Sequence, residues 1–466
     1  MMAACGGKGS NGGAPGDASP GSGGDSGSGG GGVDAAAGST PITIRVFADG
    51  VPTFTGVTEN VPLLAFQDGD GAWTALTGAG GVYHATATGA RYGVAVGCAP
   101  PDGGLTVYYQ AVGDATDLPV EGCFQPPADP ASITVSVLNA DGRQSFVSVG
   151  AIGKALADSG SVTLSVPKQK ADVFVATQVG PDGAATDPRA LRGVTLDVTA
   201  NASLAVDLTQ AIALESHPLT IVDAQPAGSV ETFAQVTSIF YTQYSYGGHI
   251  LLRDTLTPNL PVTTTTQYRT PAAAMRQAGE IMYARALTNG TTAAGLSYMR
   301  VVNIQTASAI SLTMTLPEVV TATPPTVDDA AIPRATAQLP IRPATLGHAL
   351  YQASFTTSNA QTSRTVAIIV RPGWAQGQSA VTVATPDLSQ LSGWTADMAL
   401  LPGVDVDWSV LIDDRNVTIE TPVSDGKRII ESSLSGTIQR FRAAGVSPID
   451  PPRAAEGARR FERFAR

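Results

Sequence analysis

The feature that most constrains this chain is a succession of short apolar stretches, alternating at every second residue and broken by Gly, Pro, Asp or Asn, from Pro41 to Ile438. A period of two puts every apolar side chain of a stretch on one face of a β-strand. Between Pro41 and Pro127 the stretches are Ile42/Ile44/Val46, Leu63 to Phe66, Trp73 to Leu76, Val82 to Ala87, Tyr92 to Val96 and Leu105 to Ala111. So many short strands in so few residues predict a β-sandwich with Trp73 in its core.

A second unit opens in the same way. Ile42-Thr43-Ile44-Arg45-Val46 aligns with Ile133-Thr134-Val135-Ser136-Val137, both running on to Asp-Gly, and Tyr92 to Val96 resembles Asp172 to Ala176. A repeat of this length is one immunoglobulin-sized module used twice. A third unit, richer in Thr and Tyr, follows His217, and a Pro-containing stretch, Pro317 to Pro333, reads as a linker to a fourth. In the third unit Thr270-Pro271 and Asn289-Gly290 would bound a helix, but Gly279 and the surrounding strands favour a strand at Glu280 to Leu287. The fold class expected is all-β, tandem immunoglobulin-like sandwiches at 41–127, 131–213, 216–316 and 317–440, between a disordered tether at 1–40 and a loose Arg-rich tail at 441–466.

Gly6 to Ser39 contains no Phe, Tyr, Trp, Leu or Ile, so it buries too little apolar surface to offset the entropy of ordering its backbone. Ahead of it stands Met1-Met2-Ala3-Ala4-Cys5, a Cys preceded by two small residues. This resembles the lipobox of bacterial lipoproteins of the Gram-negative, outer-membrane kind. The resemblance implies that Cys5 is acylated, that a signal peptide is encoded upstream of Met1, and that the mature protein is exported and anchored in a membrane through lipid. Position −3 is Met2 where the family prefers Leu. With Cys5 assigned to the anchor, Cys98 and Cys123 remain as a pair, and a disulfide between them suits an oxidising compartment.

The chain carries 39 acidic against 28 basic residues, a formal charge of −11, which disfavours nucleic acid because phosphate binding needs a basic face. The four His lie in separate neighbourhoods, and no zinc spacing or nucleophile-elbow motif occurs. No cofactor or metal site is expected. Asp68-Gly69-Asp70-Gly71 reads as a hairpin turn, with calcium as the alternative because two carboxylates share a tight loop. Asp405 and Asp407 read as the solvated face of a strand whose other face is Val404, Val406, Trp408, Val410 and Ile412; Asp413-Asp414 reads as the turn that ends it. The densest aromatic stretch, with Tyr241, Tyr244, Tyr246 and His249, is the best ligand-binding candidate, a stacking platform for glycan or peptide. Strand parity puts Tyr244 and Tyr246 on one face and Tyr241 on the other. The function expected is binding, adhesion or scaffolding at the cell surface, towards glycan, peptide or another envelope protein. The alternative is a tethered hydrolase with its site in residues 216–440.

Overall fold

The first strand of each of the first three units is built alike. In Thr40–Asp49, Ala131–Leu138 and Glu215–Val222, alternate apolar side chains go to the core: Ile42, Ile44 and Val46, then Ile133, Val135 and Val137, then Leu219 and Ile221. Each strand pairs antiparallel on one side, with Val82–Ala87, Gly160–Val166 and Thr263–Thr270 respectively. On the other side each pairs parallel with a late strand of its own unit, Asp117–Phe124, Ala202–Asp207 or Leu312–Thr315. The repeat read from two openings therefore has a third copy, in which His217-Pro218 replaces the apolar alternation that would have revealed it.

The structure is a computed structural model that describes residues 38–49, 59–99, 103–124, 129–150, 152–177, 188–225, 227–242, 248–278, 280–306, 311–342, 346, 348–415 and 428–439. Cys5 with the tether, Tyr244, Tyr246 and the Arg-rich tail fall outside these residues. Among the described residues no helix is long and apolar enough to cross a membrane.

The units expected to follow one another as separate beads share backbone. One sheet of twelve strands runs in the order His249–Leu256, Val230–Tyr241, Ile281–Thr291, Ser297–Thr306, Arg428–Ile438, Val406–Arg415, His348–Ser358, Ser363–Val370, Gly104–Ala111, Arg91–Cys98, Leu63–Asp68, Trp73–Ala75. Its middle four strands come from the C-terminal part of the chain and join the second sheet of the third unit to that of the first. One seam is antiparallel, from Ser297 opposite Ser435 to Ile304 opposite Arg428. The other is parallel, from Thr365 beside Gly104 to Val370 beside Tyr109. Gly104 is required there, since a Cβ at that position would lie 2.3 Å from the Thr365 carbonyl oxygen.

The Pro317 to Pro333 stretch is tied to this sheet rather than free as a linker: Val320 is buried and its amide donates to Ser432 Oγ at 3.1 Å, while Ser432 Oγ donates to the Glu318 carbonyl at 2.7 Å. The second unit keeps a five-stranded sheet of its own. Its Phe174, Ala176, Ala190 and Leu214 pack against Phe240, Leu251, Met275 and Met282 of the third unit.

Local expectations fared unevenly. The ambiguous stretch is the strand Ile281–Thr291, with only one short turn of helix at Ala273–Met275 before it. Cys98 and Cys123 are bonded and link the two sheets of the first unit. Trp73 is not in the first unit's core; it lies half-buried on the opposite face of the long sheet, against Tyr109, whose ring also meets Trp374 at 4.5 Å. Asp413 and Asp414 are not a turn. Their strand continues to Arg415 because it is laddered on both sides, and Asp414 is held there by the Leu346 amide at 3.0 Å.

Replacing Gly104 by Ala is expected to force the parallel seam apart, at about 1–3 kcal/mol for overpacking at a site with only backbone to move. Guanidinium unfolding followed by Trp fluorescence checks this, with Gly113→Ala, where nothing lies within 4 Å of the added carbon, as the control.

Candidate functional site

His84 is exposed, 3.5 Å from Thr43 Oγ1. The His348 side chain lies outside the described residues. His217 Nε2 is 3.0 Å from Thr270 Oγ1 and 3.8 Å from Glu215 Oε2, and burial lowers its pKa. Hydroxyl and carboxylate thus approach the same ring nitrogen, and Thr270 is fully buried, so these three cannot act as a triad, in which the acid holds the other nitrogen.

His249, expected at an exposed platform, is buried at the junction of the second and third units. Its ring stacks on Phe174 at 4.9 Å between centroids. Ser148 Oγ donates to the Phe174 carbonyl at 3.3 Å, so the hydroxyl accepts from His249 Nδ1–H at 2.6 Å, and Nε2 accepts from Thr242 Oγ1 at 3.3 Å. Burial pushes its pKa down to about 3, with Asp172 opposing the shift and Arg192 adding to it. Arg192 itself spans the same junction, binding Asp172 of the second unit at 3.1 Å and Glu280 of the third at 2.6 Å. Tyr241 is half-buried and meets Tyr283 at 5.0 Å; Gly248, at φ +74°, passes so close that a Cβ would sit 2.9 Å from the Tyr241 ring.

The calcium alternative at Asp68 and Asp70 finds its carboxylates otherwise engaged. Asp68 accepts from the Thr88 hydroxyl and from the amides of Thr88 and Gly89, which lowers its pKa, and Asp70 pairs with Arg91. Asp407 is exposed and Asp405 half-buried. The third unit also holds a fully buried ion cluster, Arg300 with Asp223 at 2.6 Å and Glu231 at 2.6 Å, which fastens its two sheets together.

A buried polar stripe that sequence reasoning missed crosses the antiparallel seam. Directly paired strand residues share a face. Following the register, Gln352 lies beside Leu411, Leu411 beside Ser433, Ser433 beside Met299 and Met299 beside Asn289. One row along, Asp413 faces Glu431, Glu431 faces Val301 and Val301 faces Leu287; in the next, Asn303 faces Arg285. At the first-unit end this same face is apolar, closed by Phe66, Val94, Tyr108 and Ile369 under the Thr40–Asp49 sheet. Past Gln352 it turns polar, and its apolar members Val301 and Leu411 belong to none of the apolar clusters of the described residues.

Burial grades across the stripe. Gln352, Asp413, Glu431, Ser433 and Asn303 are all shielded, while Arg285, Leu287, Asn289 and Tyr283 on the flank are half-buried. Arg285 Nε donates to Asn303 Oδ1 at 2.7 Å, which fixes the orientation of that amide, because an arginine nitrogen can only donate. Asn303 Nδ2 is then left without a partner, as is the buried Oδ1 of Asn289. Each such orphan costs about 1–3 kcal/mol when desolvated.

No family model matches this sequence, and no curated protein matches it. Among solved structures it is similar to the Bacillus anthracis TIE protein, at 9% identity and a TM-score of 0.15, over 59% of this chain and 50% of that one. It is also similar to a candidate adhesin from Bacteroides ovatus, at 8% identity and a TM-score of 0.16, over 43% of this chain and 99% of that one. The chain spans half the length of the first, and at such scores neither likeness carries an argument.

His249 generates a pH prediction. Unfolded, it takes up a proton near pH 6.5; folded, only near pH 3. The unfolded state therefore binds the extra proton between these values, and stability contributed by the neutral ring is complete above pH 6.5 and is lost as pH falls, by about 1.4 kcal/mol per pH unit. His249→Phe should remove that increment from the slope of stability against pH between 6 and 4, read from urea midpoints of the two proteins.

Proposed function

We propose that this is an exported, lipid-anchored surface protein that binds or scaffolds and has no catalytic activity of its own. The observation that supports this best is the all-β architecture of sandwich units joined into one long sheet, in which the described histidines are bonded within the fold or isolated. Cys5 would carry the anchor, ahead of the tether read from Gly6 to Ser39.

Labelled palmitate is expected to enter the full-length precursor's product at Cys5, with globomycin blocking its maturation and Cys5→Ser releasing it from the membrane fraction. Unlabelled, globomycin-insensitive protein contradicts the anchor. A second reading, a tethered hydrolase, is favoured by Asp413 lying directly opposite Glu431, since paired carboxylates are what glycoside hydrolysis requires. Reducing-end release that disappears in Asp413→Asn would replace the binding reading with this one.

A further inference from the structure

We infer that the junction between the second and third units is an acid-operated latch: protonation of His249 undocks the second unit, which turns away about Leu214. The inference goes beyond the binding reading and does not depend on it.

Three observations carry it. The first is how the second unit is held. Both its sheets are made of its own strands, so among the described residues no backbone ladder ties it to the first or third unit. Its core is its own, and side chains join it to the third unit: the Phe174, Ala176, Ala190 and Leu214 cluster on Phe240, Leu251, Met275 and Met282, the Ser148–His249 bond and the Arg192–Glu280 pair. A junction of this kind can part while the cores on either side stay folded, which the laddered seams cannot. Ile212–Ala213 pairs within the second unit and Glu215–Val222 within the third, so Leu214 alone stands between them as the pivot.

The second is what the ring requires. His249 is fully buried, with Phe174 and Ser148 of the second unit supplying one side of its surroundings and Thr242 of the third the other. Nδ1–H is spent on Ser148 Oγ and Nε2 accepts from the Thr242 hydroxyl, so the closed junction accommodates the neutral ring. A second ring proton would meet the Thr242 hydroxyl proton and place a charge out of reach of water. Undocking takes away Phe174 and Ser148 and returns the ring to water, where it carries a proton readily. The lowering of its pKa by burial, from 6.5 to about 3, follows from the same geometry.

The third is the charge around it. Asp172 favours the protonated ring and Arg192 opposes it. Both oxygens of Asp172 are taken, by Arg192 and the Thr195 hydroxyl, and both of Glu280, by Arg192 and the Gln277 amide, so neither carboxylate is spare to pair with an imidazolium. Along the His249 strand, Arg253 lies over the Phe146 ring and Asp254 interacts with Arg269. Near the Ala273–Met275 turn, Glu215 pairs with His217 and Arg276 inside the third unit. The neutral ring thus favours docking and the charged ring opening. The ratio of open to docked protein rises as pH falls below 6.5, by up to about tenfold per pH unit until about pH 3.

The test is small-angle X-ray scattering of the full chain from about pH 7 to about pH 3.5, with far-UV circular dichroism in parallel. A reversible rise in radius of gyration at constant strand signal is expected, and in His249→Phe its midpoint should fall by at least about one pH unit or the rise should vanish. His217→Gln should leave the midpoint unchanged. Should His249→Phe fail to fold, Ser148→Ala serves instead; it removes the acceptor across the junction and should raise the midpoint. A radius constant over the whole range, a rise only together with loss of strand signal, or a midpoint unmoved in the folded variant overturns the inference. The last result would make Asp172 or Glu280 the trigger in place of His249.

Discussion

A strand at the edge of a sheet exposes a row of unpaired amide and carbonyl groups, and a chain with several sandwich units has several such edges to satisfy. Here four C-terminal strands satisfy two of them at once. Ser363–Val370 completes the Gly104–Ala111 edge of the first unit, and Arg428–Ile438 completes the Ser297–Thr306 edge of the third. The rest of the architecture depends on these two ladders: they align the polar rows across the seam, and they leave the second unit to attach by side chains through the Phe174–Phe240 contact, His249 and Arg192.

Buried polarity is used in two different ways. Arg300 with Asp223 and Glu231, and Arg192 with Asp172 and Glu280, are bonded clusters whose rupture would leave a charge uncompensated in a shielded place; they fix which sheet lies on which. Over the seam, Asn303 Nδ2 and Asn289 Oδ1 stay buried without a partner, at a cost of about 1–3 kcal/mol each.

The alternation of Ile42, Ile44 and Val46, and of Ile133, Val135 and Val137, was enough to read the all-β class and the repeat, because core-facing residues at a period of two leave a direct mark on the sequence. The seams left no such mark. Backbone pairing between Thr365 and Gly104 involves residues far apart in the chain and is indifferent to most side chains; Gly104 alone records it, and a Gly-Gly pair at 103 and 104 reads as a loop. The stripe was hidden for a related reason. Polar residues alternating with apolar ones ordinarily mean a solvated face, so Asp413 was read as a turn and Glu431 and Asn303 drew no notice, and only the fused sheet reveals them as shielded. His249 misled in the opposite sense, as its place among Tyr residues suggested a platform where the fold uses it as a buried bridge.

The seams themselves are open to direct measurement by native-state hydrogen exchange resolved to single amides. If the twelve strands form one ladder, amides of Thr365 to Val370 and of Val301 to Ile304 exchange only through the same large opening as Tyr351 to Phe355 in the sheet interior, with matching free energies and denaturant dependence. Seam amides that exchange like a free edge, while the strands on either side stay protected, would contradict the fused sheet and with it the alignment of the polar rows.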